Sequence, residues 1–314
     1  MKTKRNLLAI FVLIVSAQFC FAVSPKAQLS KQNERMFWVI NGTDKNGNPS
    51  AVYIQGTIHI GDDRLYPLAD AVLDAWENAD CVMGEISSVD MASLQTAVQR
   101  DMFASYRRAK GKNLYDFLNE DELAVLYTLI DGSQFDAYGS FEPWVLNSVL
   151  STLSYSDSGL DGSLGLDQKF LAMADEDGRI VEGLDTLRTQ LDVLEFGTYD
   201  EQLLILKQTL SAFIEDSDDS DELLARMYEA YLADDADALA EIVSIESSFG
   251  ESEEEVALTQ AYMKALFTDR NQAWAEKIAT LLAEGGTTFI FAGAGHFVGE
   301  NSVFAFLKKN GTIR

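Results

Sequence analysis

The sequence predicts an α/β fold built on a mixed central β-sheet, on three observations. A strand–turn–strand hairpin opens the folded part of the chain, and a strand–helix–strand unit follows it directly. Near the C-terminus a buried strand ends as the second strand does, in Gly-x-x-His, so two such loops sit at strand ends. The domain is expected over residues 36–314, with a large helical insertion at about 100–284. A chain of 314 residues that is 47% hydrophobic has enough apolar material for such a core.

The first 22 residues are a separate object. Lys2, Lys4 and Arg5 form a basic stub, residues 7–17 are an almost unbroken apolar run, and Ala17 and Ala22 are candidate cleavage positions. That order is the design of a secretory signal peptide. The apolar run is short for a membrane helix of roughly 20 residues, and bulky Phe19 before Cys20 argues against lipid attachment. The expected mature protein is periplasmic or secreted, with no membrane span after cleavage. It keeps one cysteine, Cys81, read as a small core residue, and so no internal disulfide.

Residues 36–41 (MFWVIN) and 51–58 (AVYIQGTI) read as strands around the turn Lys45-Asn46-Gly47-Asn48. Pro67 then opens a helix with Leu68, Val72, Leu73 and Trp76 on one face, and residues 81–86 (CVMGEI) are the next strand, completing a βαβ unit. Asn119 to Glu122 is a capping box before the apolar run 123–130. Residues 155–165, rich in Ser, Gly and Asp, read as a loop, and 179–183 (RIVEG) as a short strand after a helix at 166–174. Helical periodicity fills 200–284, broken by the acidic run 215–222, read as a solvated linker. Residues 287–292 (TTFIFA) are a buried strand, and a helix is expected from about 300 to 309.

Charge excludes some partners. The chain holds 24 basic and 50 acidic residues, a balance of −26. Removing the three basic residues of the leader leaves 21 against 50, or −29. Such a field repels nucleic acid and anionic lipid. The sequence has no His-Glu-x-x-His, P-loop, dinucleotide fingerprint or Gly-x-Ser-x-Gly elbow.

What remains is a histidine pair. The chain has two histidines, His59 in Gly56-Thr57-Ile58-His59 and His296 in Gly293-Ala294-Gly295-His296. Glycine at a strand end permits a sharp turn or a close approach, and α/β sheets bind ligands beyond the carboxyl ends of their strands. Two imidazoles delivered there can serve as metal ligands or bases near neutrality. A catalytic metal needs a carboxylate as well. Glu85 is the first candidate, a charge at the end of an otherwise apolar strand; Glu300 is a second, on the same face as His296 if a helix has begun.

At these residues the chain resembles the TraB/PrgY/GumN family, which includes the Tiki proteases. The resemblance covers residues 36–314: the opening block 56–86 with His59 and Glu85, Pro143-Trp144, Gly165-Leu166-Asp167, Arg270-Asn271 with Trp274-Ala275, and the final block 291–311 with His296. The bacterial GumN-like branch fits best. The resemblance implies a mixed sheet with helical insertions and, from the Tiki branch, a divalent-metal-dependent peptidase. Asp185 stands where relatives tend to have Glu, so its carboxylate arm is one methylene shorter. Glu142 stands where relatives often have a basic residue, and the acidic run 215–222 is particular to this chain.

The expected function is a metal-dependent hydrolase acting on a peptide or small molecule. His59, His296 and Glu85 would hold Mn²⁺, Co²⁺ or Zn²⁺; Asp185, or Glu85 itself if it is not a ligand, would act as base, and Arg270 would stabilise an oxyanion. The alternative is a non-catalytic extracytoplasmic binder of peptides or signals using the same cleft.

Overall fold

The computed structural model describes residues 26–153, 158–214, 218–246, 250 and 252–314. The expected signal peptide at 1–22 lies outside them, as do 155–157 of the expected loop and 215–217 of the acidic run. Six strands form one mixed sheet: β1 (Gln28–Lys31), β2 (Phe37–Thr43), β3 (Pro49–Thr57), β4 (Cys81–Gly84), β5 (Val181–Gly183) and β6 (Gly286–Gly293), in the order β1-β2-β3-β6-β4-β5. The first three are antiparallel neighbours, and β3, β6, β4 and β5 run parallel.

The β2–β3 register runs from Phe37 opposite Gln55 to Thr43 opposite Pro49. Asp44 fixes the turn between them, its Oδ1 accepting the N–H groups of Asn46 and Asn48 at 2.8 Å each. β1 has no counterpart in the sequence reading. It is a four-residue edge strand, QLSK, too short and too polar to show a period. β3 and β4 are not neighbours, although the chain connects them through a single helix. β6 lies between them, and its Phe289, Ile290, Phe291 and Ala292 are buried on both faces, as a central parallel strand requires.

The helices are α1 (Asp70–Glu77), α2 (Ser88–Arg108), α3 (Glu120–Leu129), α4 (Gly132–Tyr138), α5 (Pro143–Leu153), α6 (Leu166–Glu176), α7 (Leu187–Leu194), α8 (Tyr199–Ile214), α9 (Asp218–Leu232), α10 (Ala236–Glu246), α11 (Glu253–Met263), α12 (Asp269–Glu284) and α13 (Val303–Lys309). Asn119 and Glu122 form the capping box of α3. α1 starts at Asp70, three residues past Pro67, with Ala69 extended at its N-cap. The acidic run is not a linker throughout, because α9 begins at Asp218; acidic residues suit a helix's first turn. α13 begins at Val303, capped by Ser302, which leaves Glu300 exposed on the preceding turn.

Helices cover both faces of the sheet. On one face Trp76 of α1 and Phe170 of α6 interlock with Phe289 and Phe291, with ring centroids 5.3–6.4 Å apart. On the other, Trp38 meets Phe297 and Phe304, and Trp274 of α12 reaches Phe297. A second core joins α3, α5 and α8 through Leu126, Ile130, Leu146, Leu150, Leu206 and Leu210. Among the described residues no helix is long and apolar enough to cross a membrane.

Trp76 is 1% exposed and donates its indole N–H to Asp177 at 2.8 Å. Trp76→Ala therefore removes a ring from the centre of the larger core. We expect a loss of about 3–5 kcal/mol of unfolding free energy, read by urea denaturation.

Candidate functional site

Four adjacent parallel strands end at the same edge, and each delivers one side chain there. Thr57 lies opposite Gly293, so His59 and His296 leave neighbouring strands at one end of the sheet. Gly84 lies opposite Gly183, and just beyond them Asp185 N–H donates to the Glu85 carbonyl at 2.7 Å. The two motif loops press on each other at Gly56, where a Cβ would lie 3.1 Å from the Ala294 Cα.

Arg270, on α12, ties the ends together. Its Nε donates to Asp185 Oδ2 at 2.7 Å and its Nη2 to Glu85 Oε2 at 2.5 Å. Its Nη1 donates to the Leu266 carbonyl at 2.9 Å and stands 3.3 Å from His296 Nε2. Asp185 is saturated, taking Gln190 Nε2 at 3.0 Å and Trp274 Nε1 at 2.7 Å as well, and its side chain is only 3% exposed. Glu85 keeps 19% exposure, and its Oε1 accepts the Gly293 N–H at 3.1 Å. Burial opposes the Glu85 charge, but the positive charges of His296, Arg270 and His59 with the Gly293 N–H outweigh it and hold the carboxyl down to about 2. His296 is itself uncharged above about pH 3, so near neutrality Arg270 and protonated His59 supply that opposing charge.

The two histidines share one design in opposite surroundings. His296 is buried, with its ring against Trp274 and Phe267 at 4.3 and 4.8 Å. Its Nδ1 lies 2.6 Å from Asn271 Oδ1, and Asn271 Nδ2 donates to the Asn301 carbonyl at 2.8 Å. That second bond fixes the amide, so Nδ1 carries the proton and Nε2 keeps its lone pair. Burial above all depresses the imidazole to about 3. His59 is solvent-exposed, and its Nδ1 lies 2.8 Å from Asp167 Oδ2. Thr57 Oγ1 donates to the other Asp167 oxygen at 2.6 Å. The Asp167 hydrogen bond and charge raise the His59 imidazole to about 9.

The backbone around His59 is clamped from both sides. Leu166 N–H donates to the Ile58 carbonyl at 3.0 Å, and Gly61 and Asp161 exchange a pair of backbone bonds. Gly165 lies so close that a Cβ there would sit 2.3 Å from the His59 carbonyl oxygen, which only glycine avoids.

His59, Glu85, Asp185, Arg270 and His296 thus gather at one strand edge, and Glu300 does not join them. Asp167, Asn271 and Gln190 were not singled out as site residues in the sequence. Asp167 and Asn271 lay inside quoted motifs and serve as the acceptors that orient the histidines. Cys81 is half-buried at the opposite end of β4 from Glu85, and burial pushes its thiol up.

The donor set suits a divalent cation in kind. Each imidazole has its Nδ1 held by an oxygen, the arrangement that orients metal-ligating histidines, and Glu85 is a carboxylate. Glu85 and Asp185 against Arg270 leave one negative charge uncompensated. Arg270, however, stands against both Glu85 and His296, and among the described residues no three His, Cys, Asp or Glu side chains close around a common point.

A model of the TraB/PrgY/gumN family matches residues 36–313. A protein of Treponema pallidum (strain Nichols), named only as an uncharacterized protein, is 28% identical over 305 residues, covering 96% of this chain and 89% of its own length. No solved structure matches the chain.

With two histidines, the imidazole resonances can be followed one by one. In metal-free protein we expect one to titrate near pH 9 and the other to stay silent down to about pH 3. Asp167→Asn should bring the first down toward 6.5. The raised value means that protonated His59 stabilises the fold, fully below about pH 6.5 and no longer above about 9. For His296 the sign reverses: its contribution is present above 6.5 and fades as pH falls toward 3. A wild-type exposed imidazole titrating at 6.5 would refute the Asp167 pairing.

Proposed function

The chain belongs to the TraB/PrgY/gumN family, and on that premise we propose that it is an exported, divalent-metal-dependent hydrolase acting on peptides outside the cytoplasm. One observation carries the reading: two imidazoles from neighbouring strand ends, each with Nδ1 tied to an oxygen, turn their Nε2 atoms away from those oxygens beside an ionised Glu85, and a metal would take them by displacing the His59 proton and the Arg270 contact to His296.

His59 and His296 would hold the ion through Nε2, with Glu85 as the carboxylate beside them. The ion, Mn²⁺, Co²⁺ or Zn²⁺, would supply Lewis acidity toward water and the scissile carbonyl. The chain's own groups do the rest. Asp167 and Asn271 orient the two rings. Where Glu85 does not itself ligate the ion, it is the carboxylate open enough to take a proton from water. Asp185, with both oxygens occupied, positions Arg270. Arg270 is committed to four acceptors and acts by holding Glu85 ionised, with little left to offer an oxyanion. The basic leader Lys2 to Arg5 and the apolar run after it support export.

The second reading is a binder without turnover, and Arg270 favours it. A guanidinium already contacting Glu85 and His296 competes with any metal for those atoms.

Metal content and titration calorimetry of the purified mature protein separate the two. We expect near-stoichiometric Mn²⁺, Co²⁺ or Zn²⁺, lost in both His59→Ala and His296→Ala while circular dichroism stays unchanged. No uptake at millimolar metal would remove the hydrolase reading and leave the binder.

A further inference from the structure

A cavity of about 820 Å³ opens beside His59, between the sheet edge and the helical half of the molecule. Its volume falls within the roughly 300–1,000 Å³ of small-ligand sites. His59 and Ile60 form part of its wall, and helices α5, α7, α8 and α11 supply much of the rest. The apolar and aromatic part of that wall is Trp144, Val193, Leu194, Phe196, Ile205 and Tyr262, beside polar Asn147, Ser148 and Ser151 of α5. Among the described lining residues no Lys or Arg is present, His59 is the one base and Asp161 the one acid. Asp161 is already engaged with the Ser163 N–H at 2.7 Å.

Two polar atoms of residues that line it lack protein partners, each covered from the cavity by its neighbours. Trp144 Nε1 is a donor and Gln202 Oε1 an acceptor, both buried and unbonded. The Gln202 orientation is fixed, because its Nε2 donates to the Glu195 and Gly197 carbonyls at 3.1 Å each. Burying such atoms without partners costs about 1–3 kcal/mol apiece, and each calls for a polar group that the protein itself does not supply. An amide unit brings one acceptor and one donor.

Resting on the hydrolase reading for the site itself, we infer that this cavity is the substrate subsite and takes an uncharged peptide segment carrying a large apolar or aromatic side chain next to the bond presented at His59. The apolar wall receives the side chain. Trp144 Nε1 and Gln202 Oε1, once the side chains covering them give way, offer a backbone amide one donor and one acceptor that a hydrocarbon chain cannot use. An anionic segment finds no cation in the described wall except His59, which Asp167 already pairs, and it also faces the chain's net charge of −26.

The test is calorimetric binding of a capped alanine pentapeptide with phenylalanine at its centre, compared with its glutamate-centred counterpart and with oleate. It is run on the metal-free mature protein, so it reports the cavity independently of metal uptake and turnover. We expect the phenylalanine peptide to bind at least about tenfold more tightly than the glutamate peptide. Leu194→Asp, at a half-exposed position on the cavity wall, should weaken it about tenfold while melting temperature and metal stoichiometry stay unchanged. Gln202→Leu should weaken the peptide but not oleate. Equal binding of the two peptides, indifference to Leu194→Asp, or a preference for oleate over the peptide would each overturn the inference. Failure of metal uptake with peptide selectivity intact would instead strike the hydrolase reading alone.

Discussion

The buried guanidinium of Arg270 is the interaction on which the site depends. Glu85 and Asp185 come from the ends of neighbouring strands, and two carboxylates brought this close repel one another. One cation between them, at 2.5 and 2.7 Å, turns that repulsion into a clamp. Burial would otherwise push the Glu85 proton on, yet the carboxyl is held at about 2. A lysine could not reproduce this, because the planar fork meets Asp185, Glu85, Leu266 and His296 from three nitrogens at fixed angles. Removing one partner would strand the rest in a place where water cannot compensate. Ionisation of Glu85, orientation of Asp185 and neutrality of His296 are therefore one coupled property.

Much of this arrangement can be read in the sequence, and what cannot has a physical reason. The central strands announce themselves as apolar runs, and Glu85 stands out as a charge at the end of one. The repeated Gly-x-x-His marks the two strand ends, and parallel pairing of β3 with β6 brings them together. The place of β6 between β3 and β4 was not legible, since a strand's pattern records how many faces are buried and not which strands flank it. β1 was invisible because four mostly polar residues carry no period. The groups that orient the histidines lie 108 and 25 residues away in sequence, and no local pattern ties an acceptor to its ring. The shorter arm of Asp185 still reaches both Arg270 and Trp274, at 2.7 Å each, while its backbone N–H binds the Glu85 carbonyl.

The two histidines show how one motif yields two chemistries. Each follows a strand, each has its Nδ1 on an oxygen, and each offers Nε2. The acceptor differs. Asp167 carries a charge and pulls the His59 proton affinity up, whereas Asn271 is neutral and leaves burial to drive the His296 value down. The motif fixes position, and the residue behind the ring fixes protonation. A family that keeps the histidines but exchanges these acceptors would keep the geometry and change the charge.

That difference gives the site a direction. His59 faces the cavity and water, while His296, Asp185 and Arg270 form a dry layer behind it. Counting Glu85 at the front of that layer, two carboxylates outnumber one guanidinium, and electrostatics in a poorly solvated place reach further than at the surface. A cation entering from the cavity is drawn inward by the unbalanced charge, and meets His59 before it meets Glu85. To share Glu85 and His296 it must displace or push aside the Arg270 nitrogens that already hold them. The affinity of the site for a metal is then a difference, the attraction of the uncompensated charge less the cost of loosening the clamp. The residue that keeps Glu85 ionised is also the residue that a metal has to move.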